Sequence, residues 1–446
     1  MNMMDVGQCV AALLLCGAAF AWGVASWPAG DRRVAMYCWY AHACGAFAIV
    51  AVYKFYYGGG DLLGYHRHGV FFMRYVEYDM GRHLPQLLRV LLQLPYELPA
   101  TVHGSGTSTA SMIAVGALVG LLTESLWAGS IIVATLSAAG QACLWAGLEQ
   151  LVPVQRRTSA LWSTFLVPSL IFWTSSFQKE SFALIGMGLI VLGGGRIRTN
   201  RTLSGVLLVV VGGATVGLFK PYVLFPLAAA AGTYFYWHRA ATRGGGVRIR
   251  PVVLLLGGAA TMGILLLLGE LYPRYALDTV TESITRQQEL SILSDPGGSS
   301  FRDEASGGGQ GGALGLALDA PYTIMTALLR PFVFESRSAM MLVNSVETTA
   351  ILYLIVIAFA RTGRRELVRW AWRSPDIIAS VVFVLLFSLA VGLAATNLGT
   401  LSRYRLPMMP FYFYVVFSAY SLHLVPAAPQ KARTTEAAAD APLALG

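Results

Sequence analysis

Long apolar runs, each closed by a short polar or charged segment, fill almost the whole chain. Most of them approach the roughly 20 residues that an α-helix needs to cross the hydrocarbon core of a bilayer. The runs are continuous rather than alternating, which favours helices over the strands of a membrane barrel. The pattern predicts an all-α, polytopic transmembrane helix bundle of about 11 or 12 spans. The candidate spans are 6–27, 35–57, 110–123, 126–148, 159–175, 181–195, 203–219, 221–237, 251–270, 347–361, 376–395 and 407–425.

Composition argues against a soluble protein. Hydrophobic residues make up 56% of the 446 positions and charged residues only 12%, whereas soluble domains carry about 25% charged residues. We expect a single membrane domain over residues 1–426 and a disordered cytoplasmic tail at 427–446. The first apolar run lacks a basic segment before it, which favours a retained span over a cleaved signal peptide. The five cysteines lie in apolar runs without metal-ligand spacing, so no disulfide framework is indicated.

The formal net charge of +9 arises largely from arginines in short loops beside the spans. The positive-inside rule explains this distribution, so we expect membrane lipids as partners and no nucleic acid. Three basic loops, at 196–201, 238–250 and 361–373, are separated by pairs of spans. All three are therefore predicted to face the cytoplasm from a multi-pass protein of the inner (cytoplasmic) membrane, and the connections between them to face outward.

Four short polar motifs fall in the connections predicted to face outward. They are Gln178-Lys179-Glu180, Lys220-Pro221-Tyr222, Arg330 to Glu335, and Asn397 to Arg405. Charged residues at a membrane boundary are functional candidates, and arginine and lysine are suited to phosphate oxygens. A salt bridge, or a lysine extending to water beside a first-turn glutamate, explains Lys179 and Glu180 without any function. The substrate-binding candidates in these motifs are Lys179, Glu180, Lys220, Arg330, Glu335, Arg403 and Arg405.

A glycine-rich motif, Gly58 to Gly69, follows the second apolar run and supplies the candidates Asp61, Tyr65 and His66. A carboxylate in such a turn is suited to act as general base, to orient an acceptor hydroxyl, or to help hold a divalent cation. Helix capping at the interface explains Asp61 equally well. His66 and His68 are two residues apart, which aligns them on a strand but not on a helix, so a zinc pair is weakly indicated.

Two loops are long. The 58–109 loop carries both signs of charge, so its side of the membrane depends on the short run 110–123, which either crosses fully or is re-entrant or half-buried. Its leucine-rich segment 84–92 suits a helix lying in the interface. The 271–346 loop contains glycine-rich tracts and is expected to be a long, flexible outer loop, either a mobile lid or a plain linker.

The motifs together resemble those of multi-pass glycosyltransferases of the GT-C type and of related surface-polysaccharide polymerases. The resemblance rests on Asp61 to Tyr65, Pro168 to Glu180, Lys220-Pro221, Arg330 to Glu335, and Asn397 to Pro407. It implies transfer of a sugar or a growing glycan from a polyprenyl-phosphate-linked donor at the outer face of the cytoplasmic membrane. It also implies that Asp61 is the catalytic base or a metal-linked carboxylate, which would place the 58–109 loop outside.

The chain departs from that family in three ways: a second acid beside Asp61 is missing, an extra span is predicted at 6–27, and no large C-terminal soluble domain is evident. Leu62 follows Asp61, where GT-C enzymes commonly carry a second acidic residue, so a polymerase that relies on arginines stays open. Two other classes also stay open: a transporter or flippase of lipid-linked glycan, and a non-catalytic subunit that docks protein partners in an envelope complex. No internal repeat is evident and the charges cluster at a membrane boundary, which favours the enzyme over the transporter. In the enzyme, Lys179, Lys220, Arg403 and Arg405 would stabilise charge on the departing lipid phosphate.

Overall fold

The computed structural model describes residues 3–242, 312–395 and 397–422, with the backbone alone for 312–319. Within these ranges 84% of the residues are helical and no strand is present. The predicted all-α class is confirmed. Helices satisfy their backbone hydrogen bonds internally, as so apolar a chain requires in a bilayer. The predicted span 251–270 and the predicted tail lie outside the described residues.

The described ranges contain the following α-helices, given in chain order. They are α1 (Met3–Gly23), α2 (Ala29–Ala51), α3 (Asp61–Tyr78), α4 (Met80–Leu91), α5 (Ser108–Gly120), α6 (Leu126–Leu151), α7 (Arg157–Phe165), α8 (Pro168–Trp173), α9 (Lys179–Arg198), α10 (Thr202–Phe219), α11 (Leu224–Thr242), α12 (Gly312–Leu329), α13 (Ala339–Thr362), α14 (Arg364–Arg373), α15 (Pro375–Ala394), α16 (Leu398–Tyr404) and α17 (Met409–Ser421).

Seven helical stretches in the described ranges are long and apolar enough to cross a membrane: α1, α2 with the turn after it to Tyr56, α6, α9, α10, α13 and α15. They support a multi-pass membrane protein. Most of the apolar surface of α1 and α10 is not covered by protein, which indicates contact with lipid.

The remaining predicted spans within the described ranges correspond to helices that are short, interrupted or less apolar. The run 159–175 is divided, because α7 ends at Phe165 and α8 begins at Pro168. Proline lacks an N–H and disfavours helical conformation in the residue before it, so one helix ends and another begins. The runs 110–123, 221–237 and 407–425 correspond to α5, α11 and α17.

The centre of the bundle consists of α6, α9 and α10, whose backbones approach closely at glycines. A Cβ atom on Gly140 of α6 would lie 2.7 Å from the Cα of Ile185 in α9. One on Gly186 of α9 would lie 2.7 Å from the carbonyl oxygen of Gly212 in α10. Small residues allow such packing between membrane helices, where burying larger apolar side chains gains little over lipid. The contacts align the start of α9 with the end of α10.

The bundle has two ends that differ in charge. The glycine contacts show that α9 runs parallel to α6 and that α10 runs antiparallel to α9. Helix α2 runs antiparallel to α6, as shown by two contacts: Phe47 stacks on Trp127, and Trp39 bonds to Thr135. We call the end where α6 and α9 begin the upper end; α2 and α10 finish there. The opposite end is called the lower end.

The described parts of the three basic loops gather at the lower end. Arg198 donates to the carbonyl oxygen of Gln150 at the end of α6. Trp237 of α11 donates to the carbonyl oxygen of Trp372 in α14, 3.2 Å away, and Arg156 lies over the Trp370 ring. The basic loops are therefore separated from the motif that begins α9, as the loop charges predicted.

Helix α5 does not cross the bundle, because both of its ends lie at the upper end. In its first turn Thr109 accepts a hydrogen bond from Lys179 at the start of α9, and a short turn joins its last residue to the start of α6. Gly116 of α5 is in backbone contact with Gly69 of α3. The run 110–123 is therefore re-entrant, and the 58–109 loop lies at the same end of the bundle as Lys179.

Both long loops contain helices. α3 and α4 occupy much of the 58–109 loop, and α4 contains most of the predicted interfacial segment. The expectation of a flexible 271–346 loop is wrong from residue 312 onward: α12 extends to Leu329 and α13 already begins at Ala339. The apolar residues between the glycine-rich tract and Arg330 favour helix over linker. Residues 271–311 lie outside the described part of the chain.

Candidate functional site

Six of the predicted site residues come together at the upper end. We call them the charge cluster: Asp61, Tyr65, Lys179, Glu180, Lys220 and Arg403. They come from the starts of α3 and α9, the residue after α10, and α16. Residues far apart in the chain thus form one polar site at the end of an apolar bundle.

A buried ion pair between Lys220 and Glu180 forms the base of the cluster. The Nζ of Lys220 donates to Oε1 of Glu180 over 2.8 Å, and the two side chains are only 4% and 3% exposed. The Lys220 ammonium also lies 4.9 Å from the centroid of the Tyr404 ring. Burial by itself lowers the pKa of Lys220, but the Glu180 carboxylate and Tyr222 together outweigh it and raise the pKa above its usual value. Lys220 is therefore charged at neutral pH.

Arg403 lies between the two carboxylates of the cluster. Its Nη2 is 3.5 Å from Oδ2 of Asp61, its Nε is 3.5 Å from Oε1 of Glu180, and its Nη1 donates to the hydroxyl of Tyr53 over 3.3 Å. Burial alone would lower the pKa of Arg403, but the charge of Glu180 raises it. The contacts at 3.5 Å are longer than good charge-assisted hydrogen bonds, and Nε has no hydrogen-bond partner. The unpartnered Nε is buried against Glu180, so only the partly exposed end of the guanidinium beside Asp61 is open to another anion.

The position of Asp61 depends on the glycine turn before it. Gly58 and Gly60 have φ angles of +66° and +115°, which other residues rarely adopt. A Cβ on Gly60 would also lie 2.8 Å from the Tyr53 ring. Asp61 is the first residue of α3, where the helix dipole favours a negative charge, and its side chain is 54% exposed. The carboxylate is therefore held beside Arg403 but open to an incoming ligand.

Lys179 is the cation of the cluster whose direct partner is neutral. Its Nζ donates to the Thr109 hydroxyl over 3.1 Å and lies 5.9 Å from the Tyr65 ring centroid. Within the described ranges, no carboxylate oxygen lies within 4.0 Å of this ammonium. As the first residue of α9, Lys179 also lies at the positive end of a helix dipole. Both features favour binding of an added anion.

Arg330, Glu335 and Arg405 form a separate group. Arg330 donates from Nε to Glu335 over 2.8 Å, and the arginine and the backbone N–H of Phe332 together outweigh burial and lower the pKa of Glu335. Arg405 is 1% exposed and donates to the carbonyl oxygen of Arg330 over 2.7 Å and to the hydroxyl of Thr348 over 2.9 Å. The expected convergence of four cations is therefore correct for Lys179, Lys220 and Arg403 only. Arg405, two residues beyond Arg403, binds the chain itself.

His66 lies next to Tyr65 in sequence but bonds elsewhere. Its Nε2 is 3.1 Å from the carbonyl oxygen of Glu124, and its ring lies 5.8 Å from that of Phe177. Burial lowers the pKa of His66, more than the carbonyl raises it. A neutral imidazole that donates to this carbonyl links α3 to the residues before α6, and thus helps to fix α3 over the cluster.

Three neighbours of the cluster were not among the predicted site residues. Gln178 donates to the hydroxyl of Tyr53 over 3.0 Å, and that hydroxyl also receives the bond from Arg403. Thr109 is the hydrogen-bond partner of Lys179. Gln178 belongs to a motif that the sequence does single out, whereas Tyr53 and Thr109 carry no signal beyond an aromatic and a hydroxyl residue near the ends of apolar runs.

A second polar network lies deeper, within the apolar helices below the cluster. His42 of α2 bonds through Nδ1 to the Ser175 hydroxyl and through Nε2 to Oε1 of Gln141, each over 2.9 Å. Cys38 also donates to Gln141, whose amide donates to the carbonyl oxygen of Thr164. All five residues are fully or almost fully buried. In the sequence, the only signal for this network is the presence of polar side chains inside apolar runs. The network connects α2 and α6 to the irregular segment that leads to Lys179.

The cluster does not fit a metal site. In the described part of the chain, no three His, Cys, Asp or Glu side chains are grouped so as to hold a metal ion. Asp61 and Glu180 both face Arg403, whose positive charge disfavours a second cation beside them. A metal-linked role for Asp61 therefore has no support from the surrounding side chains.

The residues of the cluster form a site suited to a ligand with a phosphate group. Three cations face two carboxylates, and one of those carboxylates is half exposed. Comparison of the chain with protein-family models, with curated proteins and with solved structures finds no match. The functional assignment therefore depends on the geometry of the site alone.

Proposed function

We propose that this protein is a membrane glycosyltransferase or glycan polymerase that works at the outer face of the cytoplasmic membrane. Its donor is a sugar linked to polyprenyl phosphate, and its product is part of a cell-surface glycan. The observation that carries the proposal is the exposed carboxylate of Asp61 within a cluster that has one more cation than carboxylates. A lipid-linked sugar phosphate needs both features: charge stabilisation at the phosphate and a base at the acceptor.

Lys179 and Arg403 are the groups suited to hold the phosphate. Lys179 has a neutral partner, and the partly exposed end of Arg403 meets Asp61 only at 3.5 Å. Negative charge grows on the phosphate oxygens as the sugar–oxygen bond breaks, so fixed cations stabilise the transition state more than the bound donor. The polyprenyl tail would remain among the apolar surfaces of the bundle and the surrounding lipid.

Lys220 and Glu180 act on the phosphate site from below. Because they are buried and bonded to each other, they fix the position of Arg403 rather than bind the ligand directly. The Arg403 guanidinium is attracted by the Glu180 carboxylate on one side and by the Asp61 carboxylate on the other. A site held in this way needs little rearrangement during the reaction, which is the source of electrostatic catalysis.

Asp61 is the proposed general base. It accepts the proton of the acceptor hydroxyl as the acceptor oxygen bonds to the anomeric carbon of the donor sugar. The bond between that carbon and the phosphate oxygen breaks, and its electron pair leaves with polyprenyl phosphate. Because the Asp61 side chain is half exposed, an acceptor can reach its carboxylate. General bases of this kind contribute on the order of 10²–10⁴ in rate.

The test is complementation of a strain that lacks this protein, with surface glycan and lipid-linked precursor measured together. Asp61→Asn is expected to reduce glycan formation by roughly 10²-fold or more and to cause accumulation of the lipid-linked sugar, at unchanged protein level. Asp79→Asn is the matched control, because Asp79 is an exposed carboxylate that caps the next helix outside the cluster. Full glycan formation by Asp61→Asn would contradict the proposal.

Substitutions of Lys179 separate catalysis from transport. Lys179→Met is expected to remove most of the activity, because the phosphate requires a positive charge at this position. Lys179→Arg keeps the charge with a different shape and is expected to retain part of the activity. If Lys179→Met abolished glycan formation while Asp61→Asn had no effect, the site would bind the donor without a base. That result would favour a flippase and overturn the enzyme proposal.

A further inference from the structure

A second polar cavity lies at the turn between α3 and α4, away from the charge cluster. It is an open cleft of about 520 Å³, lined by Phe71, Arg74, Tyr75, Tyr78, Arg82 and His83. This volume lies within the usual range of small-molecule sites, roughly 300–1,000 Å³. None of its residues belongs to the motifs that the sequence singles out.

The two arginines of the cleft have no acidic partner. Both are exposed, and within the described ranges no carboxylate oxygen lies within 4.0 Å of either guanidinium. The acids nearest in sequence, Glu77 and Asp79, are not part of the lining, and Oδ1 of Asp79 accepts a bond from the backbone N–H of Arg82. Two guanidinium groups in one concave site are suited to bidentate binding of a carboxylate or phosphate.

The aromatic walls of the cleft are held in place by contacts with one another. The rings of Phe71 and Tyr75 are edge to face at 5.4 Å, and those of Tyr75 and His83 at 6.1 Å. Nδ1 of His83 bonds to the carbonyl oxygen of Tyr75 over 2.7 Å, which fixes α4 against α3. Tyr78 is 90% exposed and presents a free ring face at the rim. Flat aromatic surfaces beside cations are suited to a ligand that combines rings with negative charge.

We propose that this cleft binds an anionic saccharide, with the arginines on its carboxylate or phosphate groups and the aromatic side chains against its sugar rings. Arg74 lies thirteen positions beyond Asp61 on the same helix, roughly 20 Å along its axis. If the proposed function is correct, the cleft holds a distant part of the acceptor glycan while its end lies at Asp61. Binding to the cleft itself does not depend on catalysis.

The test measures binding directly, with the full-length protein in nanodiscs of phosphatidylcholine. Tetragalacturonic acid is the anionic probe and maltotetraose the neutral one of equal length. The wild-type protein is expected to bind the anionic probe more tightly, and Arg74→Gln/Arg82→Gln to bind it at least roughly tenfold more weakly. Arg67→Gln, which removes an exposed arginine of α3 outside the lining, is the matched control and should bind normally.

A third substitution separates stacking from charge. Tyr78→Ala is expected to weaken the binding of tetragalacturonic acid while leaving its salt dependence unchanged, because it removes a ring and no charge. Failure of the wild-type protein to bind tetragalacturonic acid, or equal binding by the double arginine variant, would overturn the proposal. Melting temperatures of all variants show whether any loss reflects unfolding; the exposed positions of these side chains favour normal folding.

Nanodiscs with phosphatidylglycerol distinguish a lipid headgroup from a saccharide. If phosphatidylglycerol, but not tetragalacturonic acid, is retained in a manner that requires Arg74 and Arg82, the cleft is a lipid site and the proposal is wrong. Because no variant here touches Asp61, Lys179 or Arg403, failure of this test leaves the proposed function intact. Conversely, an inactive charge cluster leaves the binding result unaffected.

Discussion

Burial distinguishes the two carboxylates of the charge cluster at the scale of single residues. The Glu180 side chain is 3% exposed and bonded to Lys220, whereas that of Asp61 is 54% exposed at the start of a helix. A buried carboxylate cannot leave its partner without leaving a buried charge uncompensated, while an exposed one beside a cation is free to exchange partners. In our proposal, the Glu180 carboxylate therefore has a structural role, and the Asp61 carboxylate has a catalytic one.

The buried pair leads to a stability prediction. Glu180→Gln leaves the Lys220 ammonium buried without its counter-charge, and should lower the free energy of unfolding by roughly 3–5 kcal/mol. Glu180→Leu combined with Lys220→Met removes both charges and should recover most of that loss. Thermal unfolding of the purified protein in detergent measures both.

Glu366→Gln serves as the control for this prediction, because it disrupts an exposed pair with Arg369 at the lower end. Surface pairs of this kind contribute about 0–1 kcal/mol. Similar melting temperatures for Glu180→Gln and the Glu366→Gln control would show that the buried pair is not needed for stability.

At the scale of elements, glycine spacing determines how α6, α9 and α10 pack. Gly188 of α9 faces the carbonyl oxygen of Gly140, whereas Gly194 on the same helix has no atom within 4 Å of where a Cβ would lie. The run of glycines in α9 therefore contains positions with opposite requirements. Sequence alone predicts the helix but does not distinguish these positions, because the distinction depends on which neighbour each glycine faces.

This difference predicts opposite effects of the same substitution. Gly188→Ala should destabilise the protein by roughly 1–3 kcal/mol, since the added methyl group collides with backbone that has no rotamer to change. Gly194→Ala should be neutral or stabilise by up to about 1 kcal/mol, because alanine favours helix. Melting temperatures in detergent provide the comparison, and equal shifts for the two variants would refute the assignment of the α6–α9 interface.

At the scale of the whole molecule, the position of α5 determines whether Asp61 and Lys179 share a site. A full crossing by 110–123 would put them at opposite ends of the bundle. The re-entrant α5 returns the chain to the upper end, and α3 packs on it through Gly69 and Gly116. A short helix between two polar turns thus decides the geometry of the proposed active site.

Cysteine accessibility tests this topology in intact membranes. His103→Cys and Leu122→Cys flank α5 at exposed positions and should react with a membrane-impermeant maleimide from the same side. Asn200→Cys, in the basic loop at the lower end, should react only from the other side. Wild-type protein provides the baseline for the native cysteines. Labelling of positions 103 and 122 from opposite sides would mean that α5 crosses the membrane.

The sequence by itself determined the all-α membrane class and the basic lower end, and it singled out the candidates from which the upper-end cluster is drawn. These follow from local properties: run length, proline positions and loop charge act on each segment separately. The tertiary structure decided that Arg405 binds Arg330 and Thr348 rather than the cluster, that α5 re-enters, and that Arg74 and Arg82 share a cleft. Such facts depend on which helix faces which, and that choice comes from close packing between segments distant in the chain.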